Sequence, residues 1–281
     1  MSRVLHRRVF YPDKAIKRFI ISYLKNLIQQ TRGFMHFELI DLAISLCLLF
    51  GAVLYTSVGH AGASIYIAIM TLFSIPSAVI KPTALVMNIF IATFTSWRYI
   101  RKGFFDFKVL LPIAIGAIPF AFLGGFINAP NHIYKSIVGI ILLISAISLV
   151  SNLSNKIDKK LKKPPFFLAV IIGSCIGFLA GLTGTGGGIF LSPLILFLGW
   201  SSTKTTSGIT ALFILINSSF GLLGNYSSVQ NLPDQLPLFI GATLIGALIG
   251  TTLGIKFYTA NTIKKALALV LVIAGFKLLL T

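Results

Sequence analysis

The chain has 281 residues, 56% of them hydrophobic and 11% charged, and a mean hydropathy of +0.93; soluble domains carry about 25% charged residues. Such a chain cannot present a water-soluble surface, and the reading is an all-α integral membrane protein. Its 24 Lys+Arg against 6 Asp+Glu, a formal +18, do not point to nucleic acid, because surfaces that bind it sit on polar proteins with interleaved charge.

At about 20 apolar residues per helical span, the length allows roughly eight to ten crossings. In chain order, residues 1–35 form a basic tail. Ile16, Phe19, Ile20, Tyr23, Leu27 and Ile28 recur there at helical spacing, with Lys17, Arg18, Ser22, Lys25 and Gln29 opposite. This reads as an interfacial amphipathic helix on anionic lipid. The competing reading takes Met35 as the biological start. No secretory signal stands out.

Residues 42–80 and 164–203 contain no Lys, Arg, Asp or Glu. Each stretch is about twice one span, so each crosses twice or dips back on itself. Small residues interrupt both near the middle: Gly59-His60-Ala61-Gly62-Ala63-Ser64 and Gly184-Thr185-Gly186-Gly187-Gly188. Glycine runs disfavour a continuous helix, which predicts two helices broken at matching places. Apolar segments follow at about 82–98, 108–127 and 133–151, and again at about 205–224, 236–255 and 262–280.

The two halves align. Gly51 and Gly62 precede Gly177 and Gly188 by one interval. Thr83-Ala84-Leu85 likewise precedes Thr210-Ala211-Leu212, and Gly116-Ala117 precedes Gly246-Ala247. A colinear series of this kind is a duplication. Residues 36–151 are then a first transmembrane repeat, 152–165 a basic linker and 166–281 a second repeat.

Loop charge orients them. The 98–108 connection carries Arg98, Arg101, Lys102 and Lys108, while its partner 225–236 has only Asp234; 128–132 is uncharged, while 256–265 has Lys256, Lys264 and Lys265. Basic loops are cytoplasmic, and the linker carries Lys156, Lys159, Lys160, Lys162 and Lys163. Equivalent loops therefore face opposite sides, which gives an inverted repeat of two five-segment halves. The basic tail fits this poorly, since the scheme puts the start of the first span outside. A re-entrant first broken helix is an alternative.

A helix restarting inside a membrane exposes N–H groups with partial positive charge, a ready anion site. Paired breaks in inverted halves mark secondary-transporter sites. Close packing around Gly177-x-x-x-Gly181 is the bland alternative, but it explains three consecutive glycines poorly. The candidate substrate-binding residues are His60, Ala61, Gly62, Ala63 and Ser64 in the first break and Gly184, Thr185, Gly186, Gly187 and Gly188 in the second. Asn88 and Asn217, mid-span amides that need partners, join them.

His60 is an anion contact, a proton carrier or a neutral ring on a backbone carbonyl; an unperturbed imidazole titrates near about 6.5. Ser64, Tyr66, Thr83, Ser207 and Thr210 are softer candidates, and hydroxyls bonded back within their own helices are the ordinary expectation. Lys81 and Lys204 are expected to snorkel at opposite interfaces. No carboxylate lies mid-span, which argues against cation transport. One histidine without a nearby carboxylate or cysteine makes an enzyme the weaker alternative, and paired breaks argue against a scaffold.

The stretch Gly177 to Gly224, with Gly184-Thr185-Gly186-Gly187-Gly188 followed by Pro193, resembles the TauE/SafE sulfite exporter family, and so does the first half over Gly59–Ser64 and Pro82-Thr83-Ala84-Leu85. The first half departs from the family's triple glycine. The resemblance covers about residues 38–280. It implies transport of sulfur-containing anions such as sulfite or sulfonates across the inner membrane, with no enzyme activity and no cofactor. The expected partners are a small anionic substrate and the lipid bilayer, not nucleic acid, with room for a homodimer.

Overall fold

The computed structural model describes residues 38–127, 130–150 and 161–256, together with 272, 273, 275, 276, 279 and 280. The chain divides into two compact units, Met1–Ile40 and Asp41–Thr281, and the description concerns the second. The tail, most of the linker and most of the segment expected at 262–280 lie outside the described residues.

Every regular element among the described residues is helical. They run α1 Leu39–Ser57, α2 Ala63–Leu72, α3 Ser77–Arg101, α4 Phe107–Phe126, α5 Asn131–Val150, α6 Phe166–Thr183, α7 Gly188–Leu198, α8 Thr203–Gly224 and α9 Leu236–Lys256, with a 3₁₀ turn at Tyr226–Asn231. Lipid offers the backbone no hydrogen-bond partners, so apolar runs in it must satisfy their amides internally as helices. Among the described residues, six helices are long and apolar enough to cross a membrane: α1, α3, α4, α6, α8 and α9. The chain is a multi-pass membrane protein.

The expected segments at 108–127, 133–151, 205–224 and 236–255 coincide with α4, α5, α8 and α9 to within two residues. The segment expected at 82–98 is longer. It starts at Ser77 and carries Pro82 inside the helix. A proline near a helix start forfeits one backbone bond, and the flanking turns tolerate that loss. Lys81 consequently belongs to the helix rather than to the loop before it.

α2 and α7 have 10 and 11 residues. At 1.5 Å per residue each is about 15 Å long, half of the roughly 30 Å hydrocarbon core.

Close backbone contact joins two helix pairs. A Cβ at Gly116 would lie 2.1 Å from the Val170 carbonyl oxygen, one at Gly173 2.0 Å from that of Ile113, and one at Gly181 2.1 Å from that of Ala121. These glycines press α4 and α6 together. On the other pair, a Cβ at Gly246 would lie 2.4 Å from the Leu49 carbonyl oxygen, one at Gly250 2.2 Å from that of Val53, and one at Gly254 2.0 Å from that of Ser57. α9 and α1 are thus joined in the same way. Small residues let helix backbones approach where lipid supplies no hydrophobic drive. α3 and α8 pack against each other, and α3 also touches α9 as α8 touches α4.

Candidate functional site

The first stretch between helices begins where α1 ends at Ser57. Gly59, at φ 82°, donates its N–H to the Thr56 carbonyl at 3.1 Å, and the His60 N–H reaches the Tyr55 carbonyl at 3.0 Å. A Cβ on Gly59 would sit 2.5 Å from the Cα of Ser207, so the turn requires glycine both for its left-handed backbone and for its contact with α8. Gly62 then opens α2 with no side-chain cap. The second stretch runs from Gly184 at φ 78° to Gly187 at φ 77°, which opens α7, again with no side-chain cap. The first N–H groups of α2 and α7 therefore have no acceptor within their own helices.

The two stretches meet. His60 Nε2 lies 3.0 Å from the carbonyl oxygen of Gly188, the first residue of α7. A carbonyl only accepts, so Nε2 carries the proton in this hydrogen bond. Ala61 packs with Ile91 of α3 and Ile214 of α8. A Cβ on Gly186 would lie 2.6 Å from Asn88 Nδ2, and one on Gly188 2.4 Å from Ile214 Cδ1. Asn88 Nδ2 in turn donates to Ser218 Oγ at 3.1 Å. The starts of α2 and α7 thus converge on the middles of α3 and α8.

The candidates are all buried. His60 is 8% exposed, Asn88 0% and Asn217 1%. The amide oxygen of Asn88 has no hydrogen-bond partner, and neither amide atom of Asn217 has one. Unpaired buried polar atoms of this kind need an explanation.

Asn217 lies one helical turn from Phe213, whose ring would meet a Cβ on Gly187 at 3.1 Å. It therefore faces the second restart from α8. Ser64 sits in the first turn of α2, 1% exposed. Thr185 is 3% exposed and pairs with the Thr183 hydroxyl at 3.0 Å. Gly184 packs on Lys81, whose carbonyl oxygen would lie 3.2 Å from its Cβ.

The softer candidates do not simply bond back within their helices. Tyr66 donates to the Ala61 carbonyl at 2.5 Å, which fixes the turn before α2. Ser207 donates to the Val58 carbonyl at 2.9 Å as well as to its own helix at Thr203, 3.2 Å away. Thr210 pairs with Ser192 of α7 at 2.7 Å, and the Thr83 hydroxyl has no partner. For Ser207 the Val58 carbonyl is nearer than the backbone acceptor one turn back.

The lysines also differ from expectation. Lys81 is 7% exposed and donates to the carbonyls of Gly125 at 3.1 Å and Ile127 at 3.3 Å. Lys204 donates to the Ile255 carbonyl at 3.4 Å and lies over the Phe104 ring. Each ammonium caps the C-terminal end of a helix, α4 or α9, where carbonyl dipoles favour a cation.

Sequence reasoning missed Ser218, the partner of Asn88. The hydroxyl pair Ser218-Ser219 directly after Asn217 in an apolar span was the available signal.

Comparison with known proteins places these features. The family described as Sulfite exporter TauE/SafE matches residues 44–278. The chain is 36% identical over 248 residues to the probable membrane transporter protein y4hK of Sinorhizobium fredii, covering 87% of this chain and 100% of that protein. It is 26% identical over 258 residues to the probable membrane transporter protein YjnA of Bacillus subtilis, covering 85% of this chain and 100% of the relative. No solved structure matches it. With a family match across both stretches between helices and a relative covered end to end, the chain belongs to the TauE/SafE family of membrane transporters.

Proposed function

We propose that this transporter carries small sulfur-containing anions, sulfite or sulfonates, across the inner membrane, holding the anion between the N-termini of α2 and α7. One observation carries the reading. Two uncapped helix starts converge on buried amides with unpartnered atoms, the oxygen of Asn88 and both amide atoms of Asn217. An oxyanion accepts hydrogen bonds from such N–H groups, and the helix dipoles favour its charge. The sulfur specificity rests on the family description.

The paired contacts support an inverted repeat with one broken helix per half. α4 packs on α6 as α9 packs on α1, and Lys81 and Lys204 cap corresponding helices. In this scheme one half rocks against the other around the fixed site. The His60–Gly188 hydrogen bond spans the two halves and must loosen as they part.

Flux in proteoliposomes tests the reading, with sulfite, sulfonates, sulfate and carboxylates compared with and without a pH gradient. Selective movement of sulfur oxyanions is expected. Movement of carboxylates alone would remove the sulfur assignment, and movement of none of these anions would remove the site.

A further inference from the structure

We propose that the last turns of α3 bind an anionic phospholipid, its phosphate held by Arg98 and Arg101 and its acyl chains lying along Phe94 and Trp97. Spacing sets the arrangement. Residues four apart share a helix face, so Arg98 stands over the Phe94 ring and Arg101 over the Trp97 ring. The guanidinium carbons lie 5.8 and 5.2 Å from the ring centroids, and the rings are 6.2 Å apart. The patch therefore carries its rings toward the middle of α3 and its cations toward the end.

Trp97 is 53% exposed on a helix long and apolar enough to span. Its ring faces lipid, and the arginines of the final turn, beside the basic connection 98–108, reach the headgroup layer.

Both guanidiniums keep donors to spare. Arg98 spends Nη1 on α9, reaching the Leu248 carbonyl at 2.9 Å and the hydroxyls of Thr251 and Thr252 at 2.8 and 2.9 Å. Its Nη2 and Nε have no acceptor among the described residues, and Arg101 has none there for any of its donors. The acid of the following connection, Asp106, is engaged elsewhere: it accepts from the Lys108 N–H at 2.9 Å and caps α4. A guanidinium edge matches two phosphate oxygens, and stacking on a ring leaves that edge clear.

Charge chooses among lipids. Lys102 and Lys108 follow and are exposed. A zwitterionic headgroup would bring an ammonium among these cations, whereas an anionic one would not. Each basic residue near the surface favours an anionic lipid by about fivefold.

The second half shows that a helix in this place does without such residues. At the interval that aligns Tyr99 with Tyr226, α8 carries Gly221, Gly224, Asn225 and Ser228. There a Cβ on Gly224 would lie 2.1 Å from the Phe122 carbonyl oxygen, and one on Gly125 2.1 Å from that of Gly221. α8 uses these positions to close on α4, whereas α3 fills them with aromatic and basic side chains.

Tryptophan fluorescence tests the site. The chain has two tryptophans, and Trp200 is buried, so a quencher on an acyl chain reports on Trp97. Purified full-length protein is reconstituted in phosphatidylcholine containing brominated phosphatidylglycerol or, in parallel, brominated phosphatidylcholine at the same mole fraction. Phosphatidylglycerol should be preferred about 20-fold. Arg101→Gln, which removes no hydrogen bond seen in the structure, should lower that preference about fivefold. Equal quenching by the two lipids overturns the proposal. So does a preference unchanged in Arg101→Gln, which would belong to basic residues elsewhere, or one that persists in Trp97→Phe. A preference abolished by excess inorganic phosphate would make the ligand a free anion and overturn the proposal as well.

Discussion

The stretch before α2 and the stretch before α7 do the same geometric task with different materials. Each ends one helix, turns through glycines with positive φ and opens the next without a side-chain cap. The second uses Gly184, Gly186 and Gly187 and leaves mostly bare backbone at the centre. The first uses Gly59 and Gly62 and fills the space with the His60 ring and with Tyr66, bonded to Ala61. The difference teaches that both stretches shape the place where they meet, whereas the ionisable side chain in residues 59–64 and 184–188, His60, comes only from the first.

The largest effect should come from filling the bare side. In Gly186→Val the new Cβ would lie 2.6 Å from Asn88 Nδ2, at a φ of 73°. Flux should fall by at least about 100-fold while the protein still inserts, since such backbone conformations cost 1–3 kcal/mol and the overlap adds to that. Normal flux, with insertion checked by size-exclusion chromatography, would break the comparison at once. The triple glycine would then be packing only.

The first stretch is probed by His60→Ala and His60→Gln. Alanine removes the hydrogen bond to Gly188 and should lower flux about tenfold, the scale of a buried carbonyl left unpaired. Glutamine restores a donor without a titrating ring. It should recover much of the flux but show no change with pH between 5 and 8, where an imidazole alone changes charge. A Gln variant with the wild-type pH profile would take the charge-changing role from His60.

A smaller effect is expected at the partner of Asn88. Ser218→Ala leaves Asn88 Nδ2 without its acceptor and should destabilise the protein by about 1–3 kcal/mol, read as a lower unfolding temperature in detergent. An unchanged temperature would mean that Asn88 finds another acceptor nearby.

The lysines give the smallest and finest test. Lys81→Met removes bonds to two carbonyls from a nearly buried position, and Lys204→Met removes one from a half-exposed position. The first should cost about 1–2 kcal/mol and the second about half that. Equal losses, measured by thermal unfolding of both variants, would show that burial does not separate them.

Much of this was legible in the residues themselves. The charge-free runs located the spans because lipid tolerates few charges, and the glycine clusters located the turns because helices disfavour them. Contacts across the chain were not legible. The alignment of the halves says which residues correspond, not which touch, so His60 meeting Gly188 and Asn88 meeting Ser218 had no local signature. Lys81 was expected at the interface because it lies just before the apolar segment read at about 82–98. Its burial depends on the end of α4, which arrives 44 residues later.

The glycine seams carry one last consequence. α4 needs the backbone of α6, and α9 needs that of α1, so neither 36–151 nor 166–281 contains the surface its own glycines fit. Severed at the linker and expressed as two polypeptides, the pieces should find each other and reassemble, while either piece alone should be degraded.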